Sequence, residues 1–456
     1  MSARKLHFAE ALLPSGWHSD VAVEIDGAGM ITGVKPGQSG HPTVTGVALP
    51  AMPNIHSHAH QRLMAGLAER AGPGSDSFWT WREVMYGFAL RLGPEELQAV
   101  AAQLYVEMLK SGFSIVGEFQ YLHNQPDGTP YADQAELSSR CLAAADQAGI
   151  AITMLPTLYA YGGFGGQAPA PGQRRFINDA ARYARILEKL HAACRDHPLR
   201  QLGISPHSLR AVTAELLTEV IAELDRLDTK APIHIHIAEQ TKEVDDCLAW
   251  SGKRPVEYLM SKFALSSRWC AIHATHMTEA ETEGLARSDM IAGLCPTTEA
   301  NLGDGIFPAD RFLATKGAIS IGSDSHITIS PAEDLRQLEY SQRLRDRARN
   351  VLADGPGQST GRRLFDAALS GGSKAMAQPV GAIAPGLRAD ICVLDADHPA
   401  LIGRKGDGVI DSWIFSGGNP CVKDMFIAGR HVVIDRRHVR EDQIAKSYRK
   451  AVEKLQ

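Results

Sequence analysis

Four runs decide the fold: Ala231-Pro-Ile-His-Ile-His-Ile237, Trp269-Cys-Ala-Ile-His273, Met290-Ile-Ala-Gly-Leu-Cys295 and Ala318-Ile-Ser-Ile-Gly322. Each is short, bounded by turn-forming residues, and apolar at odd and even positions alike. A strand with one wet face alternates apolar and polar residues. One covered on both faces does not, and that is the condition of a strand in a parallel sheet. Toward the N-terminus the same reading applies to Val47–Ile55, Ser114–Phe119, Ile150–Leu155 and Leu199–Ser205. The intervening stretches have helical periodicity. Pro94–Lys110 carries Leu97, Val100, Ala101, Leu104 and Met108 and stops at Gly112, while Ala211–Leu227 sets Leu216, Leu217, Val220, Ile221 and Leu224 on one face. Eight strands alternating with helices between about residues 46 and 325 predict a (β/α)8 TIM barrel. The competitor, an open doubly wound sheet, lacks a Gly-x-Gly-x-x-Gly turn at its first helix.

The flanks differ. Residues 1–45 and 380–435 hold short alternating runs such as Val21–Gly27 and Met425–Val433, separated by Gly and Pro turns. They predict a small β-sandwich domain assembled from both chain ends, beside a barrel domain over 46–379. Residues 436–456 read as a charged helical tail. Ala160–Arg175, with five Gly and two Pro, is a long loop that suits a surface role and a lid equally.

Composition narrows the function. Lys and Arg number 47 against 52 Asp and Glu, a net charge of −5 over 456 residues. A general binder of nucleic acid or of anionic membranes carries a basic excess instead. No stretch approaches the roughly 18 apolar residues of a membrane span. The opening Met1-Ser-Ala-Arg-Lys-Leu-His7 lacks the apolar core of a secretory signal, so a cytoplasmic chain is expected. The 7 cysteines form no Cys-x-x-Cys pair and read as reduced, mostly buried thiols.

Histidine is the unusual residue, with 18 copies. His56 and His58 alternate at the end of the first strand and share a face. His236 closes the fifth strand with Glu239 three residues on, His273 closes the sixth, and Asp324 closes the eighth within Gly322-Ser-Asp-Ser-His326. A His-x-His pair alone is weak evidence. Joint placement at four strand ends is not, because the C-terminal rim is where barrels build active sites. His60, His123, His234, His276 and His326 are read as core or orienting residues, although His234 shares a face with His236.

These motifs resemble the amidohydrolase superfamily, in its deaminase branch. The resemblance runs from Pro50-Ala-Met-Pro-Asn-Ile-His-Ser-His58 through His236-Ile-Ala-Glu239, His273-Ala-Thr-His276 and Ser323-Asp324. Cys295-Pro-Thr-Thr-Glu-Ala-Asn-Leu-Gly303 and Gly381-Ala-Ile-Ala-Pro-Gly-Leu-Arg-Ala-Asp390 extend it over nearly the whole chain. Ala51 and Ala274 depart from the usual Gly and Cys without touching a ligand. The resemblance implies metal ligands His56, His58, His236 and Asp324, a catalytic pair Glu239 and His273, proton uptake by Asp324, and a homodimer. Three imidazoles and a carboxylate suit zinc, with ferrous iron as a substitute. The fourth strand, Leu199–His207, contains no Lys to bridge a second ion, so one metal is expected.

Within the branch, five segments resemble members that convert N-formimidoyl-L-glutamate and water to N-formyl-L-glutamate and ammonia in histidine degradation. They are His56–Arg62, Phe78–Glu83, Glu118–His123, Ser205–Arg210 and Gly322–His326. Chemistry supports this independently. A glutamyl substrate carries two carboxylates, which call for Arg with its two-pronged donors. Arg82, in the loop after the first strand, and Arg210, just past the fourth, are the candidates. Gln61, Tyr121 and His207 complete the cradle. The bland reading of Arg82 is a surface ion pair with Glu83, and of Arg210 a solvated helix start. A purine deaminase is the competing enzyme, kept open by Trp79 and Trp81. A dead scaffold barrel is the competing class, but such a barrel usually loses a ligand or the proton shuttle.

Overall fold

The computed structural model describes residues 3–72, 74 and 76–455. The chain opens with β1 (Arg4–Leu13), β2 (Gly16–Ile25), β3 (Ile31–Lys35) and β4 (Val44–Pro50). The barrel follows as β5 (Met52–Ser57), β6 (Phe113–Gln120), β7 (Ala151–Leu158), β8 (Arg200–Leu202), β9 (Ser205–Pro206), β10 (Ile233–Ile237), β11 (Trp269–His273), β12 (Ile291–Leu294) and β13 (Ile319–Ile321). The chain then returns through β14 (Ile391–Leu394), β15 (Val422–Ile427), β16 (Arg430–Ile434) and β17 (Arg437–His438).

The two chain ends make one sheet in the order β17-β16-β15-β14-β4-β1-β2-β3, antiparallel except at β1–β4. It has its own apolar core, in which Phe8 meets Phe426 edge to face at 6.1 Å. Parallel ladders join β5-β6-β7-β8 and β10-β11-β12-β13, and β9 continues the fourth strand against β7. Isolated single bridges, not continuous ladders, link these two sheets at two seams. Ile204 pairs with Ile233 and Ser208 with His236 at one, and Ser57 with Asp324 at the other. Every residue of β5, β6, β7, β10, β11, β12 and β13 is buried, as the unbroken apolar runs predict.

One strand differs from expectation. The run Val47–Ile55 is two strands in two sheets. Pro50 pairs with Ile391 of the outer sheet, whereas Met52 pairs with Phe113 of the barrel. Between them the Ala51 amide donates to the Asp390 carbonyl. Residues 44–50 therefore belong to the outer sheet. An apolar run is equally at home in either core, so composition could not mark the crossing.

The helix Pro94–Ser111 begins with Pro at its first turn and ends at Gly112, whose φ of 106° is left-handed. The terminal helix Glu441–Leu455 is tied to it by Lys110–Glu441 at 2.7 Å. Among the described residues no helix is long and apolar enough to cross a membrane.

Candidate metal centre

Four side chains converge where the strands end. His56 Nε2 lies 3.1 Å from His58 Nε2 and 3.0 Å from His236 Nε2. Asp324 Oδ1 is 3.4 Å from the Nε2 of both His56 and His58. The second ring nitrogens decide the protonation. His58 Nδ1 faces the Phe119 carbonyl at 2.9 Å and His236 Nδ1 faces the His207 carbonyl at 3.0 Å. A nitrogen facing a carbonyl must carry the proton, so each Nε2 presents a lone pair. Lone pairs and a carboxylate packed this closely repel one another unless a cation sits among them. The donor set fits a divalent metal ion.

Backbone strain gathers at the same rim. Ala238, His273, Ala274 and Asp324 all have left-handed φ between 47° and 69°. Such residues persist only where their surroundings over-determine them, and active sites are the usual place. The Asp324 amide donates to the His56 carbonyl at 3.0 Å, and the His58 amide reaches the Asp324 carbonyl at 3.3 Å. Below this seam the His326 ring spans from Ser57 Oγ (3.2 Å) to Ser323 Oγ (3.0 Å), and Ser57 donates to Glu118 at 2.7 Å. The neighbours of His56, His58 and Asp324 are thus held by side chains where the ladder is interrupted.

The titratable groups divide into two sets. Burial lowers His56 to about 3, with His58 and His236 also pushed down, which keeps these rings neutral donors. His273 goes the other way. Burial alone would lower it, but the carboxylates of Glu239, Glu299 and Asp324 carry it up to about 10. Burial raises Glu239 to about 7, against the opposing pull of His273 and Arg210. His273 Nε2 stands 3.9 Å from Glu239 Oε1 and 4.0 Å from Asp324 Oδ2. The arrangement brings an acid, a base and a candidate metal site within reach of one small molecule.

All the predicted site residues except His56, which lies beneath, line one cleft enclosing about 590 Å³, open solvent at its mouth included. Tyr121 Oη accepts from Gln61 Nε2 at 2.9 Å and lies 3.0 Å from His60 Nε2. His207 lends its carbonyl to His236 while its ring packs on Tyr159 at 4.6 Å. Arg82 is not in a loop as expected: it lies on the helix Phe78–Ala89, capped by Ser77. Its guanidinium stands over Trp79 at 4.6 Å and Tyr86 at 5.5 Å, and that of Arg210 over Trp79 at 5.9 Å. Among the described residues neither arginine has an ion pair or hydrogen bond, and the buried Nε of each lacks a partner. The surface pair of Arg82 with Glu83 does not form.

Several contributors escaped the sequence reading. Tyr86, Tyr159 and Phe176 wall the cleft. Glu243 accepts from the amides of Ala238 and Glu239 at 3.1 and 3.2 Å and holds the loop that presents Glu239. Glu299 reaches His273 Nδ1 at 3.2 Å and the Cys295 amide at 2.8 Å. It stands in the motif Cys295–Gly303, quoted above only for the family resemblance, and nothing local named the ring it meets. His273, Cys295 and Glu299 also form a compact trio, although burial pushes the Cys295 thiol far up and makes it a poor donor. The remaining histidines are engaged elsewhere: His123 with the Thr157 carbonyl, His234 with Ala375 and His276 with Asp304, each at 2.8 Å.

Known proteins resemble this chain along most of its length. A formimidoylglutamate deiminase of Pseudomonas aeruginosa is 52% identical over 97% of each chain. A 5-methylthioadenosine/S-adenosylhomocysteine deaminase of Nitratidesulfovibrio vulgaris is 27% identical over 78% of this chain and 73% of its own. The crystal structure of an amidohydrolase from Brucella melitensis superposes with a TM-score of 0.93 at 49% identity, covering 99% of both chains. A zinc-bound adenosine deaminase from Xanthomonas campestris shares the fold, with a TM-score of 0.80 at 21% identity over 99% of this chain and 98% of its own. With the strand-end histidines, the two parallel sheets and a match to the family's model over residues 47–432, the chain belongs to the amidohydrolase family.

Proposed function

We propose that this chain is a metal-dependent deiminase that hydrolyses N-formimidoyl-L-glutamate to N-formyl-L-glutamate and ammonia. The observation that carries the substrate is the pair Arg82 and Arg210, two guanidiniums at the cleft with no carboxylate in ion-pair contact among the described residues. Sheltered cations are costly unless paired, and a molecule with two carboxylates pairs both. The relative from Pseudomonas aeruginosa, 52% identical over 97% of each chain, supports the same reading.

His56, His58, His236 and Asp324 are assigned to hold one zinc ion, with ferrous iron as the substitute. A divalent ion in such a site supplies Lewis acidity, lowering the pKa of water to about 7. The chain's residues do the rest. Arg82 and Arg210, with Gln61, Tyr121 and His207, hold the substrate so that its formimidoyl carbon faces the attacking water. Asp324 directs Oδ1 toward His56 and His58 and leaves Oδ2 to take a proton from that water. His273, kept protonated by Glu299, donates from Nε2 toward the developing tetrahedral centre. Glu239 delivers the proton that lets nitrogen leave as ammonia, since an amide anion cannot depart. The reading also assigns a homodimer, supported by the resemblance alone, and a cytoplasmic location, supported by the lack of an apolar signal core in Met1–His7.

An ammonia-release assay on formimidoyl amino acids, guanine and adenosine derivatives tests the proposal. Preference for formimidoylglutamate is expected. Preference for a purine, for which the ring walls Phe78, Trp81 and Tyr86 offer stacking, would overturn it.

A further inference from the structure

Arg82 and Arg210 come from separate parts of the chain, one on the helix after β5 and the other in the turn after β9. A single indole meets both: the Trp79 ring centre is 4.6 Å from Arg82 Cζ and 5.9 Å from Arg210 Cζ. Two like charges so close to one point repel each other. No carboxylate lies within ion-pair distance of either among the described residues, Glu243 and Glu239 attracting Arg210 only from farther off, and the buried Nε atoms lack acceptors. The negative face of the ring remains, and an indole is the strongest cation-binding face among side chains.

Local structure puts Trp79 there. Its amide donates to Ser77 Oγ at 3.3 Å, and the Ser77 amide returns to Thr80 Oγ1 at 3.0 Å, which pins the first turn of the helix. Trp79 and Arg82 are three residues apart and share a helix face. Phe78 packs against Trp79 edge to face, 5.2 Å between ring centres and 89° between planes. Trp79 is absent from the cleft lining, whereas its neighbours Phe78, Trp81 and Arg82 are part of it. It therefore bears on a substrate through the neighbours it holds, Arg82, Arg210 and Phe78.

We propose that Trp79 is a positioning residue whose indole takes the place of a close ion-pair partner, holding Arg82 and Arg210 together at the cleft until a dicarboxylate arrives. The proposal rests on the substrate reading above. It separates Trp79 from Trp81, which the sequence alone presents as equivalent. The ring contacts hold the guanidiniums in place before the ligand enters, so their loss removes that preorganisation, weakening binding while sparing the chemical step.

The test compares Trp79→Leu and Trp79→Phe with the wild type, each loaded with metal. In Trp79→Leu, KM for N-formimidoyl-L-glutamate should rise about tenfold with kcat within about twofold, a size set by the loss of two ring contacts. Trp79→Phe should recover most of the loss, because a phenyl face still attracts cations. Hydrolysis of an uncharged formamidine and bound metal should match the wild type in both variants. Unchanged KM in Trp79→Leu overturns the proposal. Equal losses on the uncharged formamidine, or no recovery in Trp79→Phe, overturn it too, because the ring would then merely support the helix. Wild-type inactivity on formimidoylglutamate would sink the substrate reading instead. Calorimetric binding of glutarate then tests the clamp by itself: a tenfold weaker affinity in Trp79→Leu upholds it, and equal affinities overturn it.

Discussion

Glu299 Oε1 lies 3.2 Å from His273 Nδ1, so the imidazole at the end of β11 is gripped from behind by a carboxylate supplied from the helix after β12. The contact has two effects. It orients Nε2 toward Glu239 and Asp324, and it favours the protonated ring.

Glu299→Gln should keep the side chain's reach while removing its charge. A fall in kcat of about tenfold or more is expected, with the alkaline limb of the pH–rate profile moved to lower pH. The stability sign follows from linkage. A histidine raised from 6.5 to about 10 contributes stability that is fully present below 6.5 and lost as the pH rises through about 10. The difference in Tm between wild type and variant should therefore be largest near pH 6 and shrink toward pH 10. A pH-independent difference would show that the carboxylate acts on something other than the imidazolium.

Replacing His56, His58, His236 or Asp324 with Ala should abolish turnover and lower the metal content measured by elemental analysis, since each removes one bond to the ion. A variant that retains full metal and activity takes its residue out of the site.

Glu239→Gln should fold and load metal normally yet lose about 10²- to 10⁴-fold in kcat, the range for a positioned acid–base group. Glu243 grips the neighbouring amides, so the loop should stay in place. Single-turnover kinetics with near-normal rates would assign the proton transfer to another group.

Arg82→Met and Arg210→Met keep much of the stem's volume and remove the charged fork. Hydrogen bonds to a charged partner are worth about 1.5–3 kcal/mol, so kcat/KM on formimidoylglutamate should fall at least about tenfold per substitution. An uncharged formamidine, having no carboxylate, should be hydrolysed at the wild-type rate. Equal losses on both substrates would mean that the arginines support the fold or the metal site.

The barrel and its chemical rim were legible along the chain for one physical reason. A parallel strand covered on both sides leaves an unbroken apolar run, and the polar residue that ends the run lies at the rim. His56, His58, His236, His273 and Asp324 could be found in this way because each lies within the last two residues of such a run or within three residues past it. The first run misled, since Val47–Ile55 passes from one apolar core to another without a change of composition.

What the sequence alone determined was which residue types stand at which strand ends, because burial acts on each residue locally and repeats with the period of its element. What only the tertiary structure decided was who faces whom. Glu299 meets His273 across 26 positions, Ser57 and His326 meet across 269, and Trp79 lies beneath arginines from two different segments. Hydrogen bonds and cation–ring contacts act over a few ångströms and leave no period along the chain, so only the assembled fold brings these partners together.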